Sequence, residues 1–125
     1  MHQELVGGLC AVYGSLRDGL GNHGRLVGAP RQEDGVIKDQ FRMVSLGGFP
    51  GLLEDGEATD IVVEVYEVES SSRAMGLDSL EGYPSFYNRR KVVLDDGRVC
   101  WVYFLEGTRY NELPKVLNGD WKDYV

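Results

Sequence analysis

Apolar residues in this chain gather in short runs broken by glycine, and the spacing within the runs changes from element to element. Residues 9–13, LCAVY, form a continuous apolar run between Gly7-Gly8 and Gly14 and predict a short buried strand. Residues 60–69, DIVVEVYEVE, are the clearest strand: β-branched residues dominate, and Val62, Glu64, Tyr66 and Val68 fall on one face at period two. Residues 36–44 supply one or two further strands. After Ser70-Ser71-Ser72, which can cap a helix, Ala74, Leu77, Leu80 and Glu81 follow at helical spacing. That helix must end by Gly82, because Pro84 lies two residues beyond. Runs at 90–94 and 98–105 flank Asp95-Asp96-Gly97, whose Asp-Gly pair suits the positive φ of a tight hairpin turn.

The remaining segments read as connections. Residues 19–28 are a loop with one helical turn after Asn22, a residue suited to capping. Residues 47–56, GGFPGLLEDG, read as a turn-rich excursion that exposes Phe49 and Leu52, and the tail from 111 to 125 carries a short helix. Strands outnumber helices, so the fold class is α+β, with a curved sheet or small β-barrel favoured over parallel layers. No repeat, linker or low-complexity tract divides the chain, and its 125 residues read as a single domain spanning 1–125.

Composition narrows the function. Hydrophobic content of 42% and charged content of 26% are those of a globular protein, while seventeen glycines accord with many turns. Thirteen basic residues stand against twenty acidic ones, a net charge of −7 with a pI near 4.7. Nucleic acid is therefore not an expected partner, since its binding needs a basic surface to displace counterions. The Arg89-Arg90-Lys91 cluster reads as the solvated start of a strand. No apolar run reaches the roughly 20 residues of a membrane span, and the first residues lack a basic, then apolar, leader pattern. No membrane association is expected, and the cytoplasm is the expected compartment. Cys10 and Cys100 sit inside apolar runs and read as small buried hydrophobes, with a disulfide between them left open. His2, His23 and the two cysteines lack the spacing of a metal site.

Two stretches can carry chemistry. The first is YGSLRDGLGNH, residues 13–23. A strand that leaves through Tyr-Gly-Ser-Leu can present consecutive backbone N–H groups in a concave turn, an anion or oxyanion cradle. Gly14 permits unusual dihedrals and close approach, Ser15 adds a hydroxyl, and Arg17 adds a fork for a carboxylate. An ordinary turn with Arg17 in water fits the same residues. No Gly-x-Ser-x-Gly elbow supports Ser15 and His23 as nucleophile and base, so His23 reads as a hydrogen-bonded structural histidine. The second stretch is LDSLEGYPSFYNRRKV, residues 77–92. Glu81 closes the predicted helix, where carbonyls concentrate negative charge, and Tyr83, Pro84, Phe86 and Tyr87 follow directly. If the turn folds these residues over the carboxyl, helix end and desolvation both push its pKa up, giving a proton carrier near neutral pH. A solvated glutamate at a helix end is the other reading.

Taken together, the two stretches resemble the γ-glutamylcyclotransferase-like superfamily. YGSLRDGLGNH is similar to its opening loop, and Leu-Asp-x-Leu-Glu-Gly-Tyr-Pro followed by Tyr-x-Arg is similar to its second signature. FPGLL, VEVYEV, VCWVYF and GDWKDY extend the likeness over residues 9–125, although Val63 stands where glycine is common. The Arg17 form of the loop and the short chain look closer to the γ-glutamylamine cyclotransferase and avirulence-induced-gene-like branch than to the longer glutathione-specific enzymes.

The resemblance implies a small mixed β-barrel flanked by a few helices, with a cavity at one end. It implies that Glu81 is the catalytic acid/base, and that Tyr13, Gly14, Ser15 and Leu16 hold a γ-glutamyl group. Arg17, Tyr87, Arg89 and Tyr103 follow as further substrate-binding positions. It further implies cyclisation of a small-molecule γ-glutamyl substrate to 5-oxoproline with no metal and no cofactor. The same fold as a non-catalytic binding module, and removal of a γ-glutamyl protecting group, are alternatives. Phe49, Leu52, Phe86 and Trp101 are the candidate walls that would choose the leaving amine. Oligomeric state is left open.

Overall fold

The computed structural model describes residues 2–54 and 56–125. Six strands make one curved sheet: β1 (Leu9–Val12), β2 (Arg31–Ser45), β3 (Pro50–Leu53), β4 (Thr59–Glu67), β5 (Asn88–Val93) and β6 (Val99–Phe104). Their order is β3-β2-β4-β1-β6-β5, and every neighbouring pair is antiparallel except β1 with β6. Helix α1 (Ser71–Glu81) crosses between β4 and β5, and α2 (Trp121–Tyr124) ends the chain. Short 3-10 turns occupy His2–Leu5, His23–Leu26 and Thr108–Tyr110. The fold is α+β, as expected.

The apolar run of 36–44 belongs to one long, bent strand. β2 pairs with β4 through its first part and with β3 through Arg42–Ser45, and its register with β4 shifts between Gln32 and Gly35 and again between Ile37 and Phe41. Such irregularities sharpen the local twist and curl a sheet on itself. Strands far apart in that order consequently meet at their ends: Leu105 N–H, after β6, donates to the Leu52 carbonyl of β3 at 2.9 Å, and Asp95 N–H, after β5, to the Val36 carbonyl of β2 at 2.9 Å. The curl stops short of a closed ladder, so the architecture is a barrel-like curved sheet.

β3 lies inside what reads in the sequence as a turn-rich excursion. Its Pro50 heads an edge strand, where no ladder N–H is needed. Any side chain on Gly51 would collide with Leu105, so the Pro-Gly pair that looks like a turn is what lets β3 lie close to the end of β6. Leu52 is fully buried in the core and not exposed as expected; Phe49, just before the strand, is half-exposed.

Both faces of the sheet are covered, which explains why β4 reads as near-continuous apolar sequence. Ile61, Val63 and Val65 point into a core with Ile37, Phe41, Val102 and Trp121. Tyr66 and Val68 point the other way, into a second core with Leu5, Ala74 and Leu77 beneath α1. Cys10 and Cys100 are buried and free. Among the described residues, no helix is long and apolar enough to cross a membrane.

Candidate active site

The last turn of α1 is built to bury a carboxyl. Ser70 caps the helix, its hydroxyl accepting Arg73 N–H at 3.1 Å. At the other end Gly82 adopts the left-handed conformation (φ 63°), open to a residue without Cβ, and Tyr83 N–H returns to the Asp78 carbonyl at 3.0 Å. The Tyr83–Pro84 peptide is cis. The chain then doubles back: Phe86 N–H donates to the Gly82 carbonyl at 2.8 Å and Tyr87 N–H to that of Glu81 at 3.3 Å. Aromatic rings are thus laid beside Glu81, with Phe86 and Tyr87 packed edge to face at 4.9 Å between centroids. Burial pushes the Glu81 carboxyl up to about 7.

The opening loop faces this carboxyl across a cavity of about 340 Å³. Tyr13, Gly14, Ser15 and Leu16 line it, together with Asn22, Phe49, Glu81, Phe86, Tyr87 and Tyr103. The loop is a tight turn, with Arg17 N–H on the Gly14 carbonyl at 3.0 Å and Asn22 N–H on the Ser15 carbonyl at 2.9 Å. Among the described residues, the N–H groups of Ser15 and Leu16 donate to no acceptor in the protein, as a cradle requires. Gly14 does matter for close approach, but the neighbour is Pro50: a Cβ at Gly14 would stand 2.8 Å from the Pro50 ring.

Asn22 joins the site for a reason different from the capping role anticipated. Its side chain makes no cap to the turn at His23–Leu26 and instead donates to Ser15 Oγ at 2.9 Å. That leaves the Ser15 hydroxyl proton free to point elsewhere. His23 is structural as expected, its Nδ1 lying 2.8 Å from the Leu16 carbonyl.

Three tyrosines surround Glu81, and each is already committed as a donor. Tyr13 gives its hydroxyl proton to the Tyr103 carbonyl at 2.7 Å, Tyr87 to the Pro50 carbonyl at 2.5 Å, and Tyr103 to Asp78 Oδ1 at 2.5 Å. Burial pushes all three phenols above their ordinary range. Glu81 is therefore the one cavity-lining group described here that exchanges protons near neutrality.

Two arginines expected at the substrate are placed elsewhere. Arg17 turns away from the cavity and is buried against the outer side of β4, its Nε 3.1 Å from Glu64 Oε2 and its Nη1 2.7 Å from Asp120 Oδ1. Glu64 also takes Asp18 N–H at 2.8 Å, the Tyr66 hydroxyl at 3.0 Å and Lys122 Nζ at 3.0 Å. A guanidinium so engaged works as a strut for the loop. Arg89 lies behind the cavity and not in its wall, forked onto Asp78 at 2.9 and 3.1 Å, with Tyr83 and Trp101 4.0 and 4.8 Å from its guanidinium carbon. Trp101 and Leu52 are likewise outside the lining, so of the four candidate walls only Phe49 and Phe86 stand at the cavity. Among the described residues, no His, Cys, Asp and Glu cluster could hold a metal ion.

A strongly curved mixed sheet thus sets one desolvated carboxyl and the loop of Tyr13, Gly14, Ser15 and Leu16 around one cavity. The family described as "Gamma-glutamyl cyclotransferase, AIG2-like" matches residues 10–123, and the chain belongs to it. A "Putative gamma-glutamylcyclotransferase" of Methanocaldococcus jannaschii is 36% identical over 125 residues, covering 90% of this chain and 94% of that protein. Among solved structures, an AIG2-like protein from mouse (Mus musculus) has a TM-score of 0.69 at 26% identity, covering 86% of this chain and 84% of that one. A uropathogenic E. coli-specific protein shares the fold, with a TM-score of 0.78 at 23% identity and 94% of each chain covered.

Proposed function

We propose that this chain cyclises a γ-glutamyl amine or γ-glutamyl amino acid, releasing 5-oxoproline and a free amine, with Glu81 as the sole acid/base. The observation that carries the reading is the Glu81 carboxyl, raised to about 7 by burial and facing the cradle of Ser15 and Leu16. Membership of the family supports the reaction class.

The substrate brings its own nucleophile, because its α-amino nitrogen lies one five-membered ring from the γ-carbonyl carbon. The protein's first task is to hold the chain curled, a positioning effect of about 7 kcal/mol where reactive geometry is reached. As the new C–N bond forms, the ionised Glu81 accepts the proton leaving the α-nitrogen. The protonated Glu81 then delivers it to the amide nitrogen as the old C–N bond breaks and the amine departs. The N–H groups of Ser15 and Leu16 receive either the oxyanion or the α-carboxylate, and the Ser15 hydroxyl, oriented by Asn22, adds a third donor. Phe49 and Phe86, edge to face at 6.2 Å, both line the cavity and would bound the leaving amine.

Purified protein incubated with γ-glutamyl amines, γ-glutamyl dipeptides and glutathione tests this by mass spectrometry. 5-Oxoproline from the wild type and none from Glu81→Gln is the expected result. No product from any substrate with folded wild-type protein would favour a non-catalytic binding module, and equal product from Glu81→Gln would remove Glu81 from the reaction.

A further inference from the structure

The cavity is lined by two unlike groups of residues. The opening loop supplies polar contacts, the N–H groups of Ser15 and Leu16 and the Ser15 hydroxyl. Phe49, Pro50, Leu80, Phe86 and Tyr87 make the rest largely apolar and aromatic. Phe86 is held in the turn that follows Glu81, its N–H on the Gly82 carbonyl at 2.8 Å. Its ring stands edge to face with Tyr87 at 4.9 Å, with Phe49 at 6.2 Å and with Tyr110 at 6.4 Å. Phe49 and Phe86 nevertheless remain 38% and 37% exposed, so two adjoining rings on different segments are left open at one cavity. Such a surface suits contact with a ligand. Charge is equally one-sided. Among the described residues, none lining the cavity is lysine or arginine, and Glu81 is its one carboxyl. Arg17 and Arg89 are committed to carboxylates outside it.

We propose that Phe49 and Phe86 form the specificity-determining wall for the leaving amine, favouring γ-glutamyl amides of aromatic amines without a carboxylate over γ-glutamyl amino acids. The inference rests on the cyclisation reading and selects within it. Glu81 must reach the departing nitrogen to protonate it. The substituent on that nitrogen therefore lies against residues of the turn after Glu81, where Phe86 and Tyr87 are fixed. An amino acid leaving group carries a carboxylate on the carbon next to the same nitrogen. The adjacent Ser15 and Leu16 N–H groups serve one anionic group, which the γ-glutamyl portion already brings. A second carboxylate would lose water without gaining a cation, in the cavity whose own carboxyl must ionise to start the reaction. Burial already holds that carboxyl up at about 7. A ring on the amine would instead cover the open faces of Phe49 and Phe86, and aromatic pairs gain edge-to-face contact besides buried area. The cavity of about 340 Å³ is near the lower end of ligand sites and suits an amine of one ring.

Four probes separate ring from charge: γ-glutamyl-phenethylamide, γ-glutamyl-phenylalanine, γ-glutamyl-ethylamide and γ-glutamyl-alanine. The phenethylamide differs from the phenylalanine compound, and the ethylamide from the alanine compound, only by the carboxylate. Calorimetry on Glu81→Gln reads affinity without turnover, and wild-type protein is assayed for 5-oxoproline. The phenethylamide should bind about tenfold tighter than the ethylamide, and each amide about tenfold tighter than its amino acid counterpart. Phe86→Leu, added to Glu81→Gln, should shrink the ring preference to about threefold; where that variant fails to fold, Phe49→Leu reads the same preference. Phe49→Lys, at a half-exposed position, brings a cation to the wall and should shrink the carboxylate penalty. Equal affinity for the phenethylamide and the ethylamide, or for an amide and its amino acid counterpart, overturns the proposal. So does a ring preference that the leucine variants leave unchanged. If the affinity order holds and wild-type protein forms no 5-oxoproline, the wall stands and the cyclisation reading fails. If 5-oxoproline forms at the same kcat/KM from all four, cyclisation stands and the wall fails.

Discussion

The Tyr87 hydroxyl donates to the Pro50 carbonyl at 2.5 Å, joining the turn that covers Glu81 to the edge strand that forms the opposite lip of the cavity. The two residues are 37 positions apart, and both are buried. Tyr87→Phe would leave a buried carbonyl without its donor while preserving the ring. Unfolding in denaturant should show a loss of about 1–2 kcal/mol, with a higher KM as β3 loosens. Unchanged stability would mean that the bond contributes nothing to holding the lip.

The proposed reaction should follow the titration of Glu81. With the carboxyl at about 7, kcat/KM should rise with pH through that region, because the ionised form is the one that accepts the proton. A flat profile between pH 5 and 8 would exclude Glu81 as the base.

The same burial makes Glu81 a cost to stability once ionised. Its folded value, about 7, lies above its ordinary value of 4.5, so the folded state holds the proton more tightly than the unfolded chain. Stability therefore falls as pH rises from 4.5 through 7. Glu81→Gln should be more stable than the wild type at pH 8 by about 3 kcal/mol, and the difference should vanish near pH 4. Thermal unfolding of both proteins across this range checks the sign.

Gly14→Ala should damage the site through crowding, since the new Cβ would stand 2.8 Å from two atoms of the Pro50 ring. Overpacking of this kind costs about 1–3 kcal/mol. Adding Pro50→Ala removes those ring atoms and should recover part of the lost stability and ligand affinity. No recovery in calorimetry of the double variant would mean that Gly14 is needed for something other than space.

Arg17→Ala tests the strut. Removing one partner from the buried pair with Glu64 should cost about 3 kcal/mol. At a temperature where the variant stays folded, kcat should fall less than it does for Glu81→Gln, because no substrate contact is lost. Glu64 is held down to about 2 despite its burial, by the Asp18 N–H, Lys122, Arg17 and Tyr66. Its contribution is thus complete above its ordinary 4.5 and is lost only as pH falls toward 2. Wild-type protein should lose this part of its stability in acid, and a variant lacking the cluster should show a shallower acid transition.

Much of this architecture was legible along the chain, because it depends on local chemistry. Ser70 and Gly82 bound α1, since capping and left-handed backbone are properties of single residues. Gly97 turns the β5–β6 hairpin for the same reason. The Glu-Gly-Tyr-Pro segment marks the carboxyl that the fold desolvates, as its aromatic neighbours are adjacent in sequence and a short turn brings them back. Other features depend on partners distant in sequence. β3 was hidden because a Pro-Gly pair signals a turn until a neighbouring strand arrives beside it. Arg17 could not be distinguished from a substrate fork, since its carboxylates lie 47 and 103 residues away. Asn22 likewise looked like a cap until Ser15 came within reach. What the sequence determined by itself is where α1 and the β5–β6 hairpin begin and end, that β1 and β4 are buried, and which carboxyl stands among aromatic rings. Only the tertiary structure decided where each long polar side chain finds its partner, because a flexible guanidinium or amide takes whichever buried acceptor the folded sheet brings to it.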